Sequence, residues 1–364
     1  MHKTNAASAR PASPAGTPEK PIGLRDLAAY LGLSRSTVSL VLNDSPVAQR
    51  LTPETRERVL RAAAELGYKA NYFARMLNKK RSHMVGILSP DLVEDYDSEI
   101  LNGIEHLLIE RNYLYFVSSH HWDKALIRQR LEVFAERGAE GVILINTPIV
   151  TAPDLPLVSI GGLESDLPLT RIAVDNSHGV RLALEHLFSL GHRQIALFKG
   201  HTQSSDTESR WTAYMETAQA LGLSFHEEHI VQLERIDNRL NSIREGFIAG
   251  QQLLKARREF TALLAFNDLS AIGAIHAFRD AGRRVPEEIS VIGFDDIYAA
   301  NVVYPALTTV RQPLTEMGTL AASELLARIE DRNHEVRLIM IEPELVIRQS
   351  TGACPRGAAP GRTS

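Results

Sequence analysis

From Met84 onward, short unbroken apolar runs alternate with longer amphipathic stretches. Val85–Leu88 is followed by a helical pattern around Ile100 to Glu110, and Leu114–Val117 by another from Lys124 to Arg137. Val142–Ile145 and Leu157–Ile160 come next. A second series contains Ile195–Phe198, Ile230–Leu233, Thr261–Phe266 and Ile289–Gly293. A strand reads as a continuous apolar run when helices cover both faces of its sheet, which is the condition of a parallel sheet. Two such series in succession predict two doubly wound α/β lobes. Ligands of these sheets sit outside the C-terminal ends of the strands. Residues that end the runs are therefore the first candidates for a site: Asp295 after Val291–Phe294, and Asn267 with Asp268 after Thr261–Phe266. A carboxylate such as Asp295 accepts two polar hydrogens at once. Asp296 is read as structural, and Asp268 as a cap for a helix beginning at Leu269.

Ahead of the lobes, Leu24 to Gly67 reads as three short helices. The first, from Leu24 to Tyr30, stops at Gly32, which closes a helix in the left-handed conformation. Ser34 caps the second, which carries Thr37, Val38, Val41 and Leu42 and ends at Asn43–Pro46. Thr52–Pro53 starts the third, with proline where its missing N–H costs nothing. Two helices joined by a tight glycine turn form a helix-turn-helix. Its geometry puts Arg35 and Ser36 at base edges in a major groove, where arginine donates twice to guanine. Ser34, Thr37 and Asn43 are placed for phosphates. The plainer alternative is that Ser34 and Thr37 only cap and Arg35 is a solvated surface residue.

Charge separates the two parts. The chain has a net charge of −4, yet residues 21–82 carry eleven Lys/Arg against five Asp/Glu, and everything after them sums to −12. A small basic module ahead of an acidic body points to polyanion binding by the module alone. The first twenty residues are rich in Ala, Ser, Pro and Thr without an apolar core, which predicts a disordered tail rather than a signal peptide. The single cysteine, Cys354, excludes an internal disulfide and a cysteine metal cluster. No run approaches the length of a membrane span. The expected compartment is the cytoplasm, and no cofactor or metal motif is found.

The chain resembles the LacI/GalR family of bacterial regulators from Ile22 to about Ser350. The resemblance is carried by Ser34–Ser39 (SRSTVS) with Val41–Asn43, Thr55–Val59 (TRERV) with Glu65–Tyr68, and Asn71 with Ala74–Leu77 (ARML). In the body it rests on Leu187–Arg193 (LFSLGHR), Asn267–Asp268, Val291–Asp296 (VIGFDD) and Leu307–Pro313 (LTTVRQP). It implies that Ser39 and Leu40 lie on the DNA-facing helix with the residues above. It further implies that Asn71, Ala74, Arg75 and Leu77 form a hinge helix on operator DNA, with Leu77 wedged into a minor-groove step. Leu40 departs from the polar residue common there, and the loop between Asp44 and Thr52 is about three residues longer than usual. In the body, Asp295, Asn267 and Arg210 match ligand-contacting positions. Where relatives carry an Asn-Pro-aromatic-aromatic run, this chain has Glu94–Asp97 (EDYD). Tyr96 is then a candidate to stack on a ligand ring. Asp97 either makes the cleft more acidic and hydrophilic, favouring a polyhydroxylated or cationic effector, or faces the surface.

The expected layout is a tail over residues 1–21, a helix-turn-helix domain over 22–70 and a hinge over 71–82. An effector-binding and dimerisation domain follows over 83–350, with a second tail over 351–364. Lobe 1 is assigned residues 83–174 and 313–335, and lobe 2 residues 175–312 and 336–350, in the manner of periplasmic binding proteins. The partners implied are double-stranded operator DNA, a small effector of carbohydrate type and a second copy of the chain. Residues 343–364 hold no leucine heptad, which favours a dimer. A solute-binding protein would explain the body but not the basic headpiece. An enzyme would need a nucleophile with a base, or a metal cluster, and neither is present in the sequence.

Overall fold

The computed structural model describes residues 22–43, 45–68, 81–92, 95–148, 153–161, 167–202, 204, 206–223, 226–234 and 242–355. They form two compact units that divide after Arg81. In the first unit, α1 (Leu24–Leu31), α2 (Arg35–Leu42) and α3 (Pro53–Glu65) are joined by short turns. Gly32 ends α1 with φ +62°, as its position predicted. The Ser34 hydroxyl accepts the Thr37 N–H at 3.0 Å, and Thr52 caps α3 through Thr55. Leu27, Val38 and Val59, one from each helix, are fully buried in one cluster. Each such burial stabilises the unit by roughly 1.5–3 kcal/mol. The extended loop is filled by a 3₁₀ turn, Pro46–Arg50, whose Ala48 joins that core. Arg58 donates to the Leu31 carbonyl at 2.6 Å, covering an orphan acceptor at the end of α1.

The second unit has two six-stranded sheets. Its elements are β1 (Met84–Ser89), α4 (Asp95–Glu110), β2 (Leu114–Ser119), α5 (Lys124–Glu136), β3 (Val142–Ile145), β4 (Leu157–Ile160) and β5 (Thr170–Val174). Next come α6 (Asn176–Ser189), β6 (Ile195–Lys199), α7 (Asp206–Ala220), β7 (Ile230–Gln232), α8 (Ser242–Leu253), β8 (Ala262–Leu264), α9 (Asp268–Asp280) and β9 (Ser290–Asp295). The chain ends with α10 (Tyr298–Val302), β10 (Thr308–Arg311), α11 (Leu314–Glu330), β11 (Leu338–Ile341) and β12 (Glu344–Val346). The first sheet has the order β11-β5-β4-β3-β1-β2, with every pairing parallel. The second has the order β12-β10-β9-β8-β6-β7, parallel except for the antiparallel β12 at its edge. The central strands β1, β3, β4 and β9 are buried along their whole length, which is why they read as unbroken apolar runs. In lobe 1, α4 and α11 cover one face of the sheet, while Ile127, Leu131 and Phe134 of α5 pack on the other. In lobe 2, α8 and α9 contribute to one core cluster and α6 and α7 to another.

Two expected boundaries change. Strand β11 pairs with β5 in the first sheet, so lobe 1 takes residues 336–341 and only β12 returns to lobe 2. The sequence hid this because β11 and β12 are separated by just Glu342 and Pro343. Residues 351–355 are also no tail. The Cys354 N–H donates to Leu190 O at 2.9 Å, and the imidazole of His192 lies 3.0 Å from Gly352 O. The chain thus crosses between sheets near Asp175, near Gln312 and between Ile341 and Glu344. No helix among the described residues is long and apolar enough to cross a membrane.

Candidate nucleic-acid interface and ligand cleft

On the headpiece, the exposed start of α2 presents Arg35 and Ser36 to solvent beside the exposed Ser34. Thr37, Ser39 and Leu40 are half-buried, with Leu40 packed against the headpiece core. The Ser34 and Thr37 hydroxyls lie 2.9 Å apart, and the Asn43 amide donates to Ser39 O at 2.8 Å and to Ser39 Oγ at 3.1 Å. These polar groups hold the two ends of α2; the Thr37 N–H goes to Ser34, while those of Arg35 and Ser36 meet no acceptor among the described residues, an end that favours an anion. Arg35 is the long donor on that turn. The proposed hinge residues Asn71, Ala74, Arg75 and Leu77 lie outside the described residues.

In the body, a cleft forms where strand C-termini of both sheets converge. It encloses about 760 Å³, including the part open to solvent, within the range of small-molecule sites. All five expected ligand contacts line it: Tyr96 and Asp97 at the start of α4, Arg210 on α7, Asn267 before α9 and Asp295 at the end of β9. Asp97 is buried and accepts the Ser89 hydroxyl at 2.6 Å, so it belongs to the cleft wall rather than the surface. Asp295 accepts the Gln312 amide at 2.6 Å. The Tyr96 phenol is pushed well above its usual range by burial, and then by the charges of Asp206, Asp295 and Asp97.

Arg210 is built in rather than dangling. Its Nε donates to Asn176 Oδ1 at 2.8 Å and its Nη1 to Phe266 O at 2.6 Å, while its guanidinium lies 3.6 Å from the centre of the Phe294 ring. Asn176 opens α6 and donates back to Asp206 Oδ1 at 3.0 Å and Ser209 Oγ at 2.9 Å. One amide thus ties the N-termini of α6 and α7 together and fixes the arginine between them.

Asp268 does not cap. The cap of α9 is Asn267, whose Oδ1 accepts the Ser270 N–H at 2.9 Å. Asp268 is fully buried and accepts from Ile297 N at 2.9 Å and Thr309 Oγ1 at 2.5 Å. Burial and then the neighbouring Asp295 charge hold its carboxyl well above the ordinary range. Asp296 is structural, as expected: Arg311 Nε lies 2.6 Å from its Oδ2 and Arg348 Nη2 2.5 Å from its Oδ1.

The cleft also contains Trp122, Asn146, His201 and Asp206, which were not singled out beforehand. The signal was available, since Trp122, Asn146 and His201 closely follow the ends of β2, β3 and β6. Trp122 and Asn146 hold positive φ, +61° and +43°, conformations that non-glycine residues adopt mostly where the surroundings impose them. Under Trp122, its N–H donates to His120 Nδ1 at 3.0 Å, and His120 Nε2 lies 3.1 Å from Thr147 Oγ1. His201 Nε2 lies 2.7 Å from Glu245 Oε2, a pair in which the carboxylate is buried and the imidazole half-buried at the cleft wall. Among the described residues, no three His, Cys, Asp or Glu side chains converge as metal ligands would.

Residues 23–71 match the family model for bacterial regulatory proteins of the lacI family, and residues 184–351 match that for a periplasmic binding protein-like domain. The HTH-type transcriptional repressor PurR of Photobacterium profundum is 30% identical over 337 residues, covering 90% of this chain and 98% of that protein. The ribose operon repressor of Haemophilus influenzae is 29% identical over 333 residues, with the same coverage. Among solved structures, the lac repressor dimer bound to operator and the anti-inducer ONPF is 26% identical. It matches with a TM-score of 0.80 over 92% of this chain and 100% of that one. The transcriptional regulator CelR in complex with cellobiose is 28% identical, with a TM-score of 0.67 over 90% of this chain and 99% of that one.

Proposed function

Because the chain belongs to the lacI family of bacterial regulatory proteins, we propose that it represses transcription by gripping a near-palindromic operator as a dimer. A small polyhydroxylated molecule in the interlobe cleft controls it. The observation that carries the reading is the exposed first turn of α2, with Arg35 and Ser36 presented by a Ser34-capped helix in a basic module. Such a turn reads base edges, while the helix N-terminus seats on phosphate. The structures of relatives support the rest: one is a repressor dimer on operator, another holds cellobiose.

Two headpieces reading two half-sites need a two-fold dimer. On lobe 2, Tyr298, Val302 and Tyr304 expose large apolar side chains close together in sequence on and after α10. They favour a surface covered by a second copy. The protein acts in the cytoplasm, where the chromosome is. Ligand in the cleft changes the angle between the lobes, and thereby the spacing of the segments that lead to the two headpieces. The coupling is reciprocal, so a ligand that weakens operator binding is itself weakened by operator to the same factor.

Genome-wide footprinting of bound DNA tests the reading. Recovered sites should share a near-palindrome, and purified protein should bind it far more tightly than random duplex at moderate salt. Equal affinity for site and random competitor would overturn the assignment. Asp295→Ala should leave operator binding intact while removing its response to cleft ligands.

A further inference from the structure

The charge lining the cleft narrows its ligand. Three carboxylates, Asp97, Asp206 and Asp295, face one guanidinium, Arg210. That arginine is held in place by the wall, with two of its five N–H groups donating to Asn176 and Phe266 and one face on Phe294. As the single cation facing three carboxylates, it leaves the lining net negative. The His201–Glu245 pair adds no net positive charge, since one imidazole at most neutralises one carboxylate. Burial raises the Tyr96 phenol most, and all three carboxylates then raise it further with Arg210 opposing.

The carboxylates are not equivalent. Asp97 receives the Ser89 hydroxyl and Asp295 the Gln312 amide. Asp206 receives the Asn176 amide on Oδ1, but the nearest cation to its Oδ2 is Arg210 Nη2 at 4.0 Å, beyond hydrogen-bond reach. Among the described residues, no donor meets that oxygen. A carboxylate oxygen left open in a semi-enclosed, negative cavity attracts a charged donor more strongly than a neutral one, because screening there is weaker than in water.

We propose that the cleft is selective for a ligand bearing a protonated amine beside hydroxyls, an aminated sugar or similar polyol, with Asp206 Oδ2 as the acceptor that reads the amine. Hydroxyls engage Asp97, Asp295 and Asn267, and phosphorylated or carboxylated sugars are rejected by like charge. This deepens the proposed function and rests on it for the cleft being the effector site.

The test is calorimetric titration of the full-length protein at pH 6.5 with matched sets of sugars. Each set holds a neutral hexose, its 2-amino form, its N-acetylamino form and its 6-phosphate, in the gluco, galacto and manno series. In at least one series the free amine should bind tenfold or more tightly than the neutral and N-acetylated members, with no detectable binding of the phosphate. Asp206→Asn, a partly exposed side chain at a helix start, should cost the amine tenfold or more while the neutral hexose changes less than twofold. Its thermal midpoint reports that the fold is kept. Neutral or phosphorylated members binding as tightly as the amine would overturn the proposal, as would silence from every aminated sugar. Operator binding measured with and without sugars separates the outcomes. If it is seen in either condition, only the ligand class falls; if it is absent in both, the regulatory reading falls with it.

Discussion

Helices α4 and α11 pass each other at backbone distance, and that crossing holds the lobe 1 wall of the cleft. A Cβ added at Gly103 would sit 1.9 Å from Thr315 O, and one at Gly318 would sit 2.0 Å from Ile100 O. The Thr319 hydroxyl spans the same contact, donating to Gly103 O at 3.2 Å. Gly→Ala in a free helix gains up to about 1 kcal/mol of helix propensity. At Gly103 the sign reverses, because the obstacle is main chain on the partner helix and no side chain can rotate aside. Carbon and oxygen need well over 3 Å, so the helices must part by more than an ångström and reopen a packed core. Overpacking costs typically 1–3 kcal/mol, and the rigid obstacle puts Gly103→Ala at the upper end, leaving about 2 kcal/mol net after propensity. For a unit of this size that lowers Tm by roughly 4–8 °C. Scanning calorimetry measures it. Gly318→Ala should behave alike, and since one separation relieves both clashes, the double variant should cost less than the sum. An unchanged or raised Tm, or strict additivity, would refute the reasoning. The consequence reaches the site, because Tyr96 and Asp97 lie in the first turn of α4.

Other outcomes follow from the same geometry. Arg35→Ala should weaken operator binding by about 1–3 kcal/mol, roughly 5- to 150-fold, in fluorescence anisotropy. Binding to random duplex should change little, and equal loss on both would mean Arg35 only meets phosphate. Ser34→Ala removes the acceptor for the Thr37 N–H and should destabilise the headpiece by about 1 kcal/mol, read from its thermal melt. His192 is buried between Thr261 Oγ1 at 2.9 Å and Gly352 O at 3.0 Å, and burial lowers its pKa below the ordinary 6.5. The folded state then binds fewer protons than the unfolded chain, so the full stability is present above pH 6.5 and is lost as pH falls below it. Tm should drop from pH 7.5 to 5.5, and His192→Gln should flatten that slope; an identical slope in the variant would sink the assignment.

Much of this architecture was legible because the physics that writes it is local. A strand covered on both faces must be apolar throughout, and a helix start needs an acceptor, so β1, β3, β4 and the caps Ser34 and Thr52 stand out. Strands β5 and β11 lack that signature. β5 alternates buried and half-buried residues, and β11 alternates exposed and half-buried ones at a sheet edge. The choice of sheet for β11 is decided by pairing with β5, some 165 residues away, which no window of sequence contains. In the cleft, Asp295, Asn267 and Arg210 were visible through motif and strand-end position. Asp268 was misread because its partners, Ile297 N–H and Thr309, arrive from distant segments, while the cap it was expected to provide falls one residue earlier. His201–Glu245 was invisible for the same reason, its members being 44 positions apart.

Asp295 and Asp296 join the cleft to the crossovers, and their backbone shows the tension between those roles. Both hold positive φ, +118° and +60°, a conformation that costs a non-glycine residue about 1–3 kcal/mol and persists only where surroundings over-determine it. The surroundings are now identifiable. Asp295 points into the cleft and takes the Gln312 amide, while Asp296 takes Arg311 and Arg348. Arg311 extends further to Glu344 at 2.6 Å. Arg311 and Gln312 lie at the second crossover, and Glu344 lies just past the third. Gln312 holds one oxygen of the Asp295 carboxylate, and the next residue along the chain, Asp296, is bound by Arg311 and Arg348 from the segments that cross between the lobes. The strained pair is thus placed between the cleft and the segments that carry the chain from one lobe to the other.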